Sequence, residues 1–410
     1  MINSLRLVDF KNFKDETLRV GPFTVIVGTN ASGKSNIRDA FRFLHGIGRG
    51  YTLAEIVGGK YGPGGQIEWE EIRGAGREII RFDQPAFGLE LGLTVADQTA
   101  TYSVEVSPEI GGRAGFRITY ERLRRGPSTV FEKPRSRYGD QEVHLECGGS
   151  IDIALDKPAL TQVRDKKQLG LDAKELVESV AEILVSMRFL EPVPDRTRLP
   201  ADPSQTVLGD RGENLAAVLN KIAEDPKGCR LLTNWTRELT PMDVEGLEFP
   251  PDPYDDRIRL FIREANGRKV SAASASDGTL RFLMLLAAMF GSEREHLYFF
   301  EEIDAGIHAA RLALLLNLIE QQSANGTVQV MTTCHSPEML TIANDTTFEY
   351  MSVVCRREDS HDAIIRSVAD LPDAKKLRKT QGLGRLLAGG WMETALAFTE
   401  ENEDAEESSE

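Results

Sequence analysis

The sequence predicts a mixed α/β fold with a parallel core, and three observations lead there. The apolar run Phe23-Thr24-Val25-Ile26-Val27 is followed by Gly28-Thr29-Asn30-Ala31-Ser32-Gly33-Lys34-Ser35, which fits the pattern G-x-x-x-x-G-K-[ST]. Apolar residues then recur at Ile37, Ala40, Phe41 and Leu44, a helical spacing, so a buried strand, a glycine-rich loop and a helix stand in series. Short alternating segments from Gln66 onward read as an antiparallel β layer. Two later apolar runs, Leu297–Phe300 and Val328–Cys334, end in acids and in a histidine, as buried strands do where their ends face a ligand.

Composition narrows the class. The chain has 410 residues, 28% of them charged, and a formal net charge of −15, which suits a soluble protein of one large or two ordinary domains. No apolar run approaches the roughly 20 residues that cross a bilayer. The segment Met1 to Arg6 lacks a signal-peptide core, so a cytoplasmic protein with no membrane partner is expected. Cys147, Cys229, Cys334 and Cys355 are scattered and suggest neither a zinc site nor a disulfide framework. The acidic stretch Thr399 to Glu410 reads as a disordered, solvated tail.

In chain order, Leu5 to Phe10 is a first strand that turns toward Phe23–Val27. Gly46 to Gly65 reads as an irregular glycine-rich loop. Ile79-Ile80-Arg81-Phe82 and Phe87-Gly88-Leu89-Glu90-Leu91 read as strands, and Arg117–Glu121 and Val143–Glu146 continue the series. Lys174 to Met187 places Leu176, Val177, Val180, Ile183 and Leu184 on one helical face, and Arg188 to Pro194 breaks it. Arg211 to Leu219 opens a second helix, Leu231 to Leu239 a third, and Ile258–Ile262 is a strand. No heptad pattern persists, so no long coiled-coil arm is expected. The expected organisation is 1–150 as the first part of a core domain, 151–245 as an inserted helical lobe, 246–398 as the second part, and 399–410 as the tail.

Between Arg113 and Arg137 lie Arg117, Arg122, Arg124, Arg125, Lys133 and Arg135, interleaved with Tyr120, Phe131 and Tyr138. A surface for nucleic acid or an acidic partner has this composition, and so does a hairpin with solvated charged faces, the commoner case.

The candidate phosphate-binding residues are Asn30, Ala31, Ser32, Gly33, Lys34, Ser35 and Asn36. Backbone N–H groups and a helix N-terminus there point at phosphate oxygens. Lys34 would reach the β- and γ-phosphates of a nucleoside triphosphate, and the Ser35 hydroxyl would ligate Mg²⁺. Ser276, Asp277 and Gly278 open a second helix with hydroxyl and N–H groups, which alone is only a helix cap. Glu301 can hold Mg²⁺ at the end of its strand, and Glu302 can orient or deprotonate an attacking water. A charged strand end is the bland alternative, and the phosphate loop upstream weakens it. His335 can sense the γ-phosphate and water; a lone histidine is more often structural, but this one is the fourth member of an ordered set.

That set resembles the ABC-type ATPases of the SMC, RecF and OLD (overcoming-lysogenization-defect) group, classed broadly with the AAA ATPases. Ser276-Asp277-Gly278-Thr279-Leu280-Arg281 looks like its S-D-G-T-L-R signature. Glu301-Glu302-Ile303-Asp304-Ala305-Gly306-Ile307-His308 looks like its E-E-P-E-N-G-I-H Walker B segment. Thr332-Thr333-Cys334-His335-Ser336-Pro337 looks like its T-T-H-S-P switch, with Cys334 inserted, and Asp9-Phe10-Lys11-Asn12-Phe13 resembles its opening strand. Ile303 and Ala309 depart from the prolines of that pattern, and Glu301 stands where many relatives carry Asp. Gln66 and Gln84 are the candidates for the glutamine that links nucleotide to the inserted lobe.

The resemblance implies a P-loop ABC-ATPase head with an N-terminal antiparallel β layer and an inserted helical lobe, binding ATP and Mg²⁺ and hydrolysing the ATP. It implies a head-to-tail homodimer, open to higher oligomers, in which Lys34 and Ser35 of one copy face Ser276 and Gly278 of the other across ATP. Too little sequence follows Tyr350 for a TOPRIM nuclease. Gly382-Leu383-Gly384-Arg385-Leu386 to Trp391 resembles the closing segment of compact members that work beside a separate effector in bacterial anti-phage systems. The leading expectation is therefore an ATP-dependent dimerising switch or sensor in prokaryotic defence with a nuclease or other effector in trans. The alternatives are a RecF-like repair ATPase that grips DNA and an ATP-binding scaffold without turnover.

Overall fold

The computed structural model describes residues 1–380 except 75, 110–114, 137–140, 165, 241, 292–294, 306, 308, 335–338, 358–359, 361 and 372. Its first elements are β1 (Ile2–Phe10), β2 (Phe13–Arg19), β3 (Phe23–Val27), α1 (Lys34–Gly48), α2 (Leu53–Gly58), β4 (Lys60–Tyr61) and β5 (Ile67–Trp69). Then come β6 (Phe87–Val95), β7 (Gln98–Pro108), β8 (Phe116–Arg125), β9 (Ser128–Lys133), β10 (Glu142–Leu145), β11 (Ser150–Asp152), α3 (Ala159–Val163) and α4 (Leu171–Val185). They are followed by β12 (Met187–Leu190), α5 (Pro194–Thr197), α6 (Leu215–Ala223), α7 (Pro226–Leu239), β13 (Val244–Glu248), β14 (Phe261–Glu264), β15 (Lys269–Ser271) and α8 (Asp277–Phe290). The last are β16 (Leu297–Phe300), α9 (Ala309–Ser323), β17 (Gln329–Cys334), α10 (Met339–Ile342), α11 (Asp345–Glu349), β18 (Met351–Arg356), β19 (Ala363–Ser367) and α12 (Ala374–Thr380). The expected mixed α/β class holds. The chain divides into two compact units, Met1–Met187 with Tyr350–Leu371, and Arg188–Glu349 with 373–380. Among the described residues, no helix is long and apolar enough to cross a membrane.

In the first unit the strands run β11-β10-β9-β8-β7-β6-β1-β2-β19-β18-β3. From β11 to β2 they form the expected antiparallel layer, with β6 and β7 paired from Phe87↔Val106 to Val95↔Gln98. Phe87, Leu89, Leu91 and Leu93 alternate inward along β6, the pattern of a sheet with one face covered. At the other end β3 pairs in parallel with β18, and all its residues are buried, as a strand covered on both faces requires.

A polar knot sits inside this layer. Glu121 is wholly buried and accepts hydrogen bonds from the Tyr102 hydroxyl (2.9 Å) and from the backbone N–H groups of Ala159 (2.6 Å) and Leu160 (2.8 Å). Burial pushes its carboxyl above the usual range, while those N–H groups, Tyr102 and Lys133 pull it back. Lys133 is also buried and donates to the Ile118 carbonyl at 2.9 Å. This lysine of the basic stretch is thus an interior residue.

Two expectations fail here for readable reasons. The Gly46–Gly65 segment is not irregular: α1 runs to Gly48, Thr52 caps α2 reciprocally with Glu55, and β4 pairs with β5. The T-x-x-E box was in the sequence. Ile79–Phe82 is not a strand but a 3₁₀ turn over Gly76–Ile79 and a single bridge from Ile80 to Phe10. Arg81 there serves as a clasp, bidentate on Asp362 at 2.7 and 2.9 Å and 3.4 Å from Asp9.

In the second unit β16 lies between β17 and β12 and pairs in parallel with β17, from Leu297↔Gln329 to Phe300↔Thr332. β13, β14 and β15 form a small antiparallel sheet. Arg188–Leu190, read as a helix breaker, is a strand residue run, and Phe189 stacks on Phe299 of β16 with centroids 6.3 Å apart. Sheet pairing overrides the local helix signal, so α4 stops at Val185. The helix expected from Arg211 starts at Leu215, because Asn214 accepts from the Gly209 N–H and holds a turn. The helix expected from Leu231 starts earlier, at Pro226, capped by Asp225.

Candidate nucleotide-binding site

β3 delivers the phosphate loop in the first unit. A Cβ at Gly28 would lie 2.2 Å from the Val354 carbonyl oxygen of β18, so only glycine fits there. Gly33 has φ 119°, and a Cβ there would lie 2.9 Å from Asn12 Nδ2. Ala31 takes a left-handed φ of 62°. Thr29, Asn30 and Ala31 are exposed, whereas Ser32 and Lys34 are buried. Lys34 Nζ donates to the carbonyls of Gly28 and Thr29, both at 2.7 Å. The buried Ser32 Oγ has no hydrogen-bond partner among the described residues. Leaving such a hydroxyl unpaired costs about 1–3 kcal/mol. Helix α1 opens with no side-chain cap and no acid in its first turn. An unmet hydroxyl, a buried ammonium and a positive helix end fit a triphosphate at this loop.

One residue that sequence reasoning left without a role braces this loop. Asn12, in the turn between β1 and β2, donates to the Ser32 carbonyl at 3.4 Å and accepts from Asn36 Nδ2 at 2.7 Å. Beside it, Lys11 Nζ lies 2.5 Å from the buried Asp39 of α1. The opening motif Asp9–Phe13 was the signal for it.

In the second unit Ser276 caps α8, its hydroxyl accepting from the Thr279 N–H at 3.1 Å and lying 2.8 Å from the Thr279 hydroxyl. Gly278 is in the first turn behind it. At the carboxyl end of β16, Glu301 is half-buried and Glu302 exposed. Glu302 has a φ of 50°, unusual for a residue with a side chain, and its N–H donates to Thr333 Oγ1 at 3.0 Å. Thr332 Oγ1 donates to the Phe300 carbonyl at 3.0 Å, so β17 pins the turn carrying the two acids. His335, Ser336 and Pro337 lie outside the described residues, as do Gly306 and His308.

Among the described residues, no cluster of three or more His, Cys, Asp or Glu could hold a metal on its own. Mg²⁺ does not need one, because it keeps waters and uses one or two protein oxygens beside substrate phosphates. Ser35 is half-buried at the start of α1. Gln66 is exposed before β5, and Gln84 lines a groove of about 800 Å³ on the outer β layer with Arg6, Asp9, Glu105 and Tyr120.

The basic stretch carries its own acids. Arg122 lies 3.8 Å from Glu132, Arg125 3.1 Å from Glu146, and Arg135 2.9 Å from Glu105. The guanidiniums of Arg122 and Arg135 also rest on the Tyr120 ring. Arg113, Arg137 and Tyr138 lie outside the described residues.

A strand, glycine loop and helix feeding a parallel sheet define a P-loop ATPase fold. Residues 23–136 and 166–341, well over half of the chain, match the family described as "AAA domain, putative AbiEii toxin, Type IV TA system". The chain belongs to this family of AAA ATPases, in agreement with the ABC-type, SMC-like resemblance of its motifs. Similar solved structures include the SMC head domain from Thermotoga maritima, 16% identical over 89% of this chain and 98% of that one, with a TM-score of 0.42. An Smc head bound to the C-winged helix domain of ScpA is 15% identical over 92% and 99%, with a TM-score of 0.47. An Smc head with an extended coiled coil, bound to the C-terminal domain of ScpA derived from Pyrococcus furiosus, is 14% identical over 92% and 98%, also at 0.47. No curated protein sequence matches the chain.

Proposed function

We propose that the chain is an ATP-hydrolysing, ATP-dependent dimerising switch that acts with a separate effector in prokaryotic anti-phage defence. The observation that carries the ATP reading is the loop at Gly28–Ser35, where Ser32 Oγ is buried without a partner among the described residues, above an uncapped helix end. The defence reading is supported by the family description, which sets the AAA domain in a toxin–antitoxin system. In this reading 1–150 and 246–398 build the head and 151–245 is its inserted lobe.

Lys34 would exchange its two carbonyl partners for β- and γ-phosphate oxygens, and Ser32 would donate to the oxygen it lacks. Ser35 and Glu301 would hold Mg²⁺, which neutralises charge on the phosphates. Glu302 would orient and deprotonate the attacking water, with its backbone fixed by Thr333. His335 would meet the same water and the γ-phosphate. Ser276, Asp277 and Gly278 of a second copy would close the site, so that two nucleotides hold a two-fold dimer. Hydrolysis would remove that link, and an effector would read the change of geometry. The ion pairs of Arg122, Arg125 and Arg135 with Glu132, Glu146 and Glu105 offset part of the positive charge of this stretch, which favours the switch over a DNA-gripping role.

The test is ATP turnover and molar mass of the purified chain with and without ATP. Lys34→Ala is expected to abolish ATP binding, and Glu302→Gln to bind ATP, cease turnover and accumulate as a dimer. Wild-type turnover in Glu302→Gln would sink its role. ATP binding without turnover in the wild type would leave a scaffold, and ATP-stimulated, salt-dependent duplex binding would turn the reading toward DNA repair.

A further inference from the structure

The second helix end has a difficulty that the first does not. α8 carries an acid, Asp277, in its first turn, and its side chain is 57% exposed. A carboxylate is welcome to the helix dipole there but repels a triphosphate brought up by another molecule. The residue that answers this comes from well outside the signature. Arg198, directly after α5, sends Nη2 to Asp277 Oδ1 at 2.5 Å and to the Ala275 carbonyl at 3.2 Å. Its side chain is 23% exposed, so the pair is partly screened from water. The two contacts fall on either side of Ser276, the residue whose hydroxyl caps the helix.

We propose that Arg198 is a positioning residue that neutralises Asp277 and fixes the Ala275–Asp277 turn, so that the turn can accept the triphosphate held by a partner copy. This rests on the dimer reading above. The guanidinium removes the repulsion without occupying the anion's place, because it binds the carboxylate from the side of α5 rather than through Ser276. It also anchors the carbonyl of Ala275, the residue directly before Ser276. Lysine supplies the charge but cannot hold the planar geometry as well.

The experiment measures ATP-dependent dimerisation by sedimentation in the Glu302→Gln background, in four chains: unaltered, Arg198→Ala, Asp277→Asn, and both together. Arg198→Ala is expected to weaken the dimer by roughly tenfold or more, since a carboxylate is left facing phosphate. The deficit should shrink as salt is raised, because the repulsion is screened. In the Asp277→Asn background the same substitution should cost less than about threefold. Arg198→Lys should recover part of the loss. Thermal unfolding of each chain without nucleotide reports whether the fold survives; a salt-insensitive dimer deficit that tracks a lowered midpoint would make Arg198 structural and overturn the proposal. An equal loss in both Asp277 backgrounds would overturn it in favour of direct contact with nucleotide. A dimer indifferent to Arg198→Ala would overturn it alone, whereas a Glu302→Gln chain that stays monomeric with ATP would overturn the dimer reading as well.

Discussion

The helix ends of α1 and α8 are built from similar residues and have opposite electrostatics. At α1 the cap residue is Gly33, the first turn holds no acid, and the buried Ser32 hydroxyl has no partner among the described residues. At α8 the cap is Ser276, its hydroxyl is used by Thr279, and Asp277 in the first turn is held by Arg198. The first end stores an unmet demand for an anion, and the second is satisfied by its own residues. A site formed from the α1 end of one copy and the α8 end of another would therefore load nucleotide on α1 first and recruit α8, already neutralised by Arg198, afterwards. That order is what a nucleotide-gated dimer requires.

The largest effect should come from Gly28→Ala. Its Cβ would sit 2.2 Å from a backbone oxygen that β18 holds in place, so the loop must be rebuilt rather than adjusted. ATP binding, measured by calorimetry, is expected to be lost while the antiparallel layer stays folded by circular dichroism. Retention of near-native affinity would show that the loop does not depend on this close approach, and the contrast between the helix ends would lose its first half.

The sequence made the loop legible because a glycine pattern between a buried run and an amphipathic run constrains backbone, not just side chains. The strands β3, β8, β10 and β16 were legible for a similar reason, since burial on one or both faces imposes a period. What escaped was set at long range. The strand character of Met187–Leu190 depends on β16, more than a hundred residues later. Arg198 acts on a turn to which no local pattern joins it, and the opening motif that holds Asn12 did not say which loop it braces. The interior place of Lys133 depends on Glu121, whose own partners lie in β7 and α3. Charge counted along the chain could not distinguish such a lysine from a surface one.

A smaller effect is expected from Thr333→Val, which keeps the shape of the side chain and removes the oxygen that accepts from the Glu302 N–H. Glu302 would lose the bond that holds its left-handed backbone, at φ 50°. Turnover should fall by roughly tenfold with ATP affinity nearly unchanged, because positioning of the base is lost and binding is not. An equal fall in affinity would mean that Thr333 supports the fold rather than the acid.

The smallest effects test the comparison most directly, through two serines with opposite bookkeeping. Ser276→Ala removes a helix cap and is expected to cost about 1 kcal/mol of stability without nucleotide. Ser32→Ala removes a buried hydroxyl that has no partner among the described residues, so stability without nucleotide should stay level or rise slightly. With ATP added the order should reverse at the loop: Ser32→Ala should gain less thermal stabilisation from ATP than the wild type, because the bond that would have satisfied the hydroxyl cannot form. Ser276→Ala should keep the gain from loading a single copy and lose the part that depends on protein concentration, which belongs to the dimer. If Ser32→Ala instead destabilises the chain without nucleotide, its hydroxyl is already satisfied and the two helix ends are alike in kind.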